Sequence, residues 1–139
     1  MWSMELDRAR DFIRRNPRAV LATYRPDGSP QMSPVLASVD DAGFVVVSTR
    51  ETAYKVRQVR ADPRVALCFM TEGFFGEWIQ VEGTASVVPL PAAMEPLVDL
   101  YRRISGEHPD WDDYRAAMVR ERRVVLRVDL HRAGPDRSG

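Results

Sequence analysis

Cysteine, histidine and lysine are nearly missing from this sequence. Cys68 is the only cysteine, so no internal disulfide can form, and a reducing cytoplasmic setting is expected. It lies in the apolar run Val65–Met70, where a buried, inert thiol is expected. His108 and His131 are the only histidines, and neither stands in a metal-binding spacing, so no metal site is expected. No apolar run approaches a membrane span. Met4–Asn16 carries Arg, Asp and Glu where a signal peptide would carry an apolar core. There is no GxGxxG after a strand, no GxxxxGK[ST] and no nucleophile elbow. Twenty basic residues balance twenty acidic ones, which argues against a general nucleic-acid binder. Of the cations only Lys55 is a lysine.

What is present reads as one domain over residues 1–139, long enough for a modest core. Leu6, Ala9 and Ile13 recur at helical spacing in Met4–Asn16, and Pro17 ends that helix. A strand over Arg18–Arg25 turns at Pro26-Asp27-Gly28-Ser29 into a second strand over Pro30–Val39. Pro30 and Pro34 cannot donate to a ladder, so that strand is expected at an edge or interrupted, with backbone groups free for a ligand. Phe44–Ser48 is β-branched and expected to be buried on both faces. Further strands are expected over Arg64–Thr71 and Glu77–Val88, the latter bent at Gly83. Two helices follow, around Met94–Ile104 and from near Asp110, then a strand over Arg122–Leu130. Residues 133–139 are expected to fray. Strands this dense, with bend signals, fit a small antiparallel barrel decorated by helices.

The stretch Ser48–Arg64 is the chemical centre of the sequence. A strand ends in hydroxyl residues, a short helix follows, and Pro63 stops it. Ser48, Thr49 and Thr52 are the candidate helix caps. Ala53, Val56 and Val59 share a core-facing arc, with Arg60 inside that arc and Lys55 at its edge. Amides at a helix start, hydroxyls and cations together suit a phosphate or carboxylate. With no nucleophile or metal of its own, the chain would need a cofactor for redox chemistry.

Four stretches carry a resemblance: Val20-Leu21-Ala22-Thr23 with Asp27–Gln31; Lys55–Arg64; Val81-Glu82-Gly83-Thr84-Ala85; and Leu100–Ile104 through Trp111–Tyr114. From about Phe12 to Leu130 the chain resembles the flavin and deazaflavin oxidoreductases with the pyridoxamine-phosphate-oxidase-like split barrel. The last stretch is similar to the actinobacterial branch that binds the deazaflavin coenzyme F420. The resemblance implies a six-stranded antiparallel split β-barrel with peripheral helices, assembled as a homodimer. It implies cofactor phosphates against Lys55 and Arg60, with Ser48, Thr49 and Arg50 at the helix entry. The backbone around Gln31, Met32 and Ser33 would run beside the tricyclic ring, which Trp78 and Gln80 of the second protomer would approach. Some relatives carry an arginine where this chain has Ala53. Members that use FMN share the same corner, so FMN is the alternative cofactor. The implied activity is passage of a hydride to a small unsaturated acceptor, with a non-catalytic carrier or sensor of the cofactor as the competing reading. No side chain stands out as a general acid; Tyr24, Tyr54 and water are left open.

Overall fold

The structure is a computed structural model that describes residues 3–135. Helix α1 spans Leu6–Arg15, and strands β1 (Arg18–Tyr24), β2 (Pro30–Val39) and β3 (Val45–Arg50) follow. Helix α2 (Tyr54–Ala61) leads to β4 (Arg64–Met70) and β5 (Trp78–Val88). Helices α3 (Met94–Ser105) and α4 (Trp111–Arg120) precede the last strand, β6 (Arg123–Gly134). The six strands close into an antiparallel barrel in the order β1-β2-β3-β6-β5-β4. The expected barrel is therefore the observed one.

Alternation along the strands sorts side chains between interior and outside. Leu21, Val39, Val45, Val47, Leu67, Phe69, Val81 and Leu126 fill the interior, joined by Phe12 and Ile13 from α1 and Val56 and Val59 from α2. A second apolar cluster lies outside the barrel wall. There α3 and α4 lay Leu97, Leu100 and Met118 over Val46 of β3 and Val125 of β6. Asp110 caps α4, its carboxylate accepting from the Asp113 N–H at 3.1 Å. At Gly83 the β5–β6 register shifts, and a Cβ there would collide with the Asp129 carbonyl oxygen. Only glycine permits that approach, which explains the bend signal.

Several expectations are corrected. Of the two alternatives for β2, the structure shows the interrupted one, since β2 pairs with β1 over Pro30–Leu36 and also with β3. Its ladder to β3 is nonetheless confined to Ala37–Val39. The proline-bearing first part of β2 is thus unpaired on its β3 side, and the expected interruption is real. Ser48 and Thr49 do not cap α2; they lie inside β3, which runs to Arg50, and Ala53 takes the cap position without a side-chain bond. Arg60 is exposed rather than core-facing. β6 extends to Gly134, and Ala133 and Gly134 are buried, because they pair with Val81 and Gln80. The expected fraying therefore fails at 133–134, and 136–139 lie outside the described residues. Cys68 is half-buried on the outer wall rather than in the core; burial still pushes its thiol pKa up, so the thiol stays protonated.

Candidate functional site

The gap between β2 and β3 opens into a cleft of about 470 Å³. Pro34 and Leu36 of β2 form one side, and Ser48 and Thr49 of β3 with Lys55 of α2 form the floor. The far wall comes from α3 and α4, through Leu100, Tyr101, Ile104 and Tyr114. The Leu100–Tyr114 stretch therefore faces the lone lysine. Its aromatic side chains are held by one another. Tyr101, His108, Trp111 and Tyr114 stack with ring centroids 5.0–5.7 Å apart, and the Tyr114 hydroxyl donates to the Leu97 carbonyl at 3.0 Å. Burial raises the Tyr114 pKa, so this hydroxyl keeps its proton.

Lys55 is half-buried, and among the described residues no carboxylate pairs with it. The carboxylate of Glu121, beside Arg123, is already taken. It receives the Arg123 Nε–H at 3.0 Å and lies 3.7 Å from the Arg50 guanidinium. These contacts hold the Glu121 carboxyl below its ordinary range, the Arg123 hydrogen bond contributing most. Desolvation, and then the like charge of Arg123, push the Lys55 pKa down. A partly desolvated ammonium beside a second cation and two hydroxyls is a poor arrangement for a bare protein and a good one for an anion.

The structure does not bring every expected site residue to this cleft. Ser48, Thr49 and Lys55 meet there. Arg60 lines a separate recess with Glu51, Thr52, Arg57 and Arg122. Arg50 sits on the rim beside Glu121. Gln31 lines another cleft across α2, while Met32 is 66% exposed on the outer face of β2, with the half-buried Ser33 next to it. Trp78 and Gln80 lie outside the interior core, half-buried on β5. Pairing places Pro34, Val20, Cys68 and Gln80 in one row across β2, β1, β4 and β5. No group of residues that could hold a metal occurs among the described residues, and no described helix is long and apolar enough to cross a membrane. Sequence reasoning missed Arg123 as the second cation of the cleft; its place opposite the strand that feeds α2 comes from β3–β6 pairing, which no local pattern encodes.

The family model for pyridoxamine 5'-phosphate oxidase matches residues 6–134. The chain belongs to the pyridoxamine 5'-phosphate oxidase family. A pyridoxine/pyridoxamine 5'-phosphate oxidase of Anaeromyxobacter dehalogenans is 42% identical over 76 residues, covering 54% of this chain and 36% of that protein. One from Rubrobacter xylanophilus is 44% identical over 70 residues, covering 48% and 30%. The matched stretch is thus about a third of each relative's length. Among solved structures, a conserved hypothetical protein from Mycobacterium tuberculosis superposes with a TM-score of 0.76 at 25% identity, over 95% of this chain and 84% of that one. A structure described as an F420 reductase superposes with a TM-score of 0.69 at 23% identity, over 89% and 94%. At that identity the second likeness is one of fold.

Proposed function

We propose that this family member is an oxidoreductase that binds coenzyme F420, with FMN as the alternative, and acts on a small unsaturated acceptor. The observation that carries the reading is Lys55: a half-buried ammonium without an acid partner, its pKa depressed, beside the hydroxyl residues Ser48 and Thr49. Lys55 holds the cofactor phosphate, and an entering phosphate restores the charge that burial and Arg123 disfavour. Arg123 adds attraction at longer range. Arg60, in its own recess, is not assigned to the phosphate. From that anchor the free edge of β2 offers backbone groups of Gln31, Met32 and Ser33 to a ring. The cofactor supplies the hydride; the protein supplies a fixed pose and a walled cleft.

Two observations favour F420 over FMN. The Leu100–Tyr114 stretch forms the cleft wall, and a neighbour of the same fold is described as an F420 reductase. The names of the curated relatives, pyridoxine/pyridoxamine 5'-phosphate oxidases, keep FMN as the second reading. Titration of the apo protein with each cofactor, followed by absorbance, tests the choice. Tighter binding of F420 supports the reading, and retention of FMN alone overturns it.

The proposed assembly is a homodimer. Met32, Pro34 and Leu36 on β2 are exposed, and Val20, Cys68, Met70 and Trp78 beside them are only half-covered. An exposed apolar patch of this kind, bordered by Arg18, Arg64 and Glu82 on the same sheet face, suits a second copy, because the same patch on two chains is self-complementary. Trp78 and Gln80 lie on that face, where they would approach the second protomer's site.

A further inference from the structure

Across α2 from Lys55 lies a larger cleft of about 840 Å³, bounded by Gln31, Tyr24, Tyr54, Arg57, Gln58 and Arg64. Its polar groups have a direction. The hydroxyl of the buried Thr23 donates to the Gln58 side-chain carbonyl at 2.5 Å. The Gln58 amide NH2 then donates to the Gln31 side-chain carbonyl at 2.7 Å. The chain of bonds ends on the Gln31 amide NH2, whose own oxygen is already used, so what remains at the cleft is a donor. The cations around it differ. Arg64 is neutralised by Asp62, with contacts of 3.0 and 2.7 Å. Arg25 donates to the Pro30 carbonyl at 2.7 Å. Among the described residues Arg57 has no acid partner; its guanidinium lies 5.6 Å from the Tyr54 ring. Tyr24 faces Arg64 in the same way at 4.9 Å. The cleft thus offers two aromatic rings, one free guanidinium fork and one free amide donor. Its only carboxylate, that of Asp62, is already engaged.

We infer that this cleft binds a planar, conjugated carboxylate and is the acceptor site of the enzyme. A carboxylate matches the Arg57 fork in a bidentate pair, and a conjugated body stacks against tyrosine rings. The volume falls within the range of small-molecule sites. β2 joins this cleft to the one at Lys55. Gln31 lines the first and Pro34 the second, about 10 Å apart at the usual rise of a strand. A ligand anchored at Lys55 and a smaller one at Arg57 would be joined along the free edge of β2 between Gln31 and Pro34. The role as acceptor site rests on the cofactor reading above; the binding site itself rests on its own residues.

The test uses 2-naphthoate as the probe on the full-length apo protein, by calorimetry and by NMR of the glutamine side-chain amides. The naphthoate is expected to bind, to shift the Gln31 amide signals, and to lose about tenfold or more in affinity in Arg57→Ala. Arg57→Lys should recover only part of the loss, because it keeps the charge but not the fork. Lys55→Met should leave naphthoate binding unchanged. No binding at millimolar probe, or binding that Lys55→Met abolishes and Arg57→Ala does not, overturns the inference. If naphthoate binds as expected while F420 and FMN do not bind at all, the cofactor reading fails and this site stands as a carboxylate site alone.

Discussion

The two outer faces of the barrel are finished differently. Over β3 and β6, the chain supplies its own cover, with α3 and α4 burying Val46 and Val125 to 5% and 1% exposure. Over β2, β1 and β4 none of the described helices buries such a cluster, and Met32 and Leu36 are left 66% and 50% exposed. Both faces carry apolar side chains, the bare one beside Arg18, Arg64 and Glu82, and they differ in what covers them. The covered face is held by the protein's own folding. The bare face is the one proposed to take a second copy, and the Lys55 cleft lies along β2 where the two faces meet.

The sharpest way to break this comparison is to charge the bare face. Met32→Glu with Leu36→Glu puts four carboxylates across a two-fold interface. It should weaken dimerisation by at least about a hundredfold, seen by sedimentation as monomer at micromolar protein, with the melting temperature of the monomer little changed. A variant that remains dimeric would show that the bare face is not the interface. The covered face should respond in the opposite way. Leu97→Ala removes a fully buried side chain and should cost about 2–5 kcal/mol of stability by denaturant unfolding, without changing the monomer–dimer constant. On the bare face, Trp78 offers a probe of the second protomer's site. Its fluorescence should fall when cofactor binds, and Trp78→Phe should lose most of that change while Trp111 is retained. An unchanged quench in the variant would place the ring away from the bare face. A smaller effect is expected where α4 begins: Asp110→Ala removes the cap and should cost about 1 kcal/mol, loosening the cleft wall with little effect on assembly.

The sign of the pH response follows from the Lys55 environment. In the folded apo protein its pKa lies below the usual value of 10.5. The unfolded chain therefore binds that proton more tightly, and the penalty on the charged form is present below the folded pKa. Stability from this group rises as pH climbs from the folded toward the unfolded value. Phosphate binding runs the other way. It needs the ammonium, so affinity falls as pH rises through the depressed pKa, earlier than an ordinary surface lysine would allow. A calorimetric series in pH should show proton uptake on binding in the parent that is absent in Lys55→Met.

Much of the fold was legible because it is written in local signals. Asp27-Gly28 fixes the first hairpin with Gly28 at φ 86°, Gly83 marks the register shift, and Pro30 and Pro34 announce the part of β2 unpaired toward β3. Lys55 and Arg60 show where that legibility ends. At 100° per residue they lie symmetrically, about 70° to either side of the Val56–Val59 midline. Adding Ala53 to the arc tips the wheel toward Arg60, the wrong one. The choice is made by α3 and α4, which come far later in sequence, wall in Lys55 and leave Arg60 exposed. The second cleft was invisible for a related reason. Gln31 and Gln58 come from separate elements and meet through one hydrogen bond, and Arg57 is notable only because its neighbours' acids are used elsewhere.

The claim on which the functional account depends is that Lys55 anchors a cofactor phosphate. Calorimetric titration of the parent and Lys55→Met with coenzyme F420, with FMN, and with the matching ring compounds that lack phosphate tests it most directly. The account expects Lys55→Met to lose about ten- to a hundredfold in affinity for the phosphorylated cofactor, to bind the bare ring as the parent does, and to melt no lower than the parent. Equal affinity of parent and variant for the intact cofactor would contradict it.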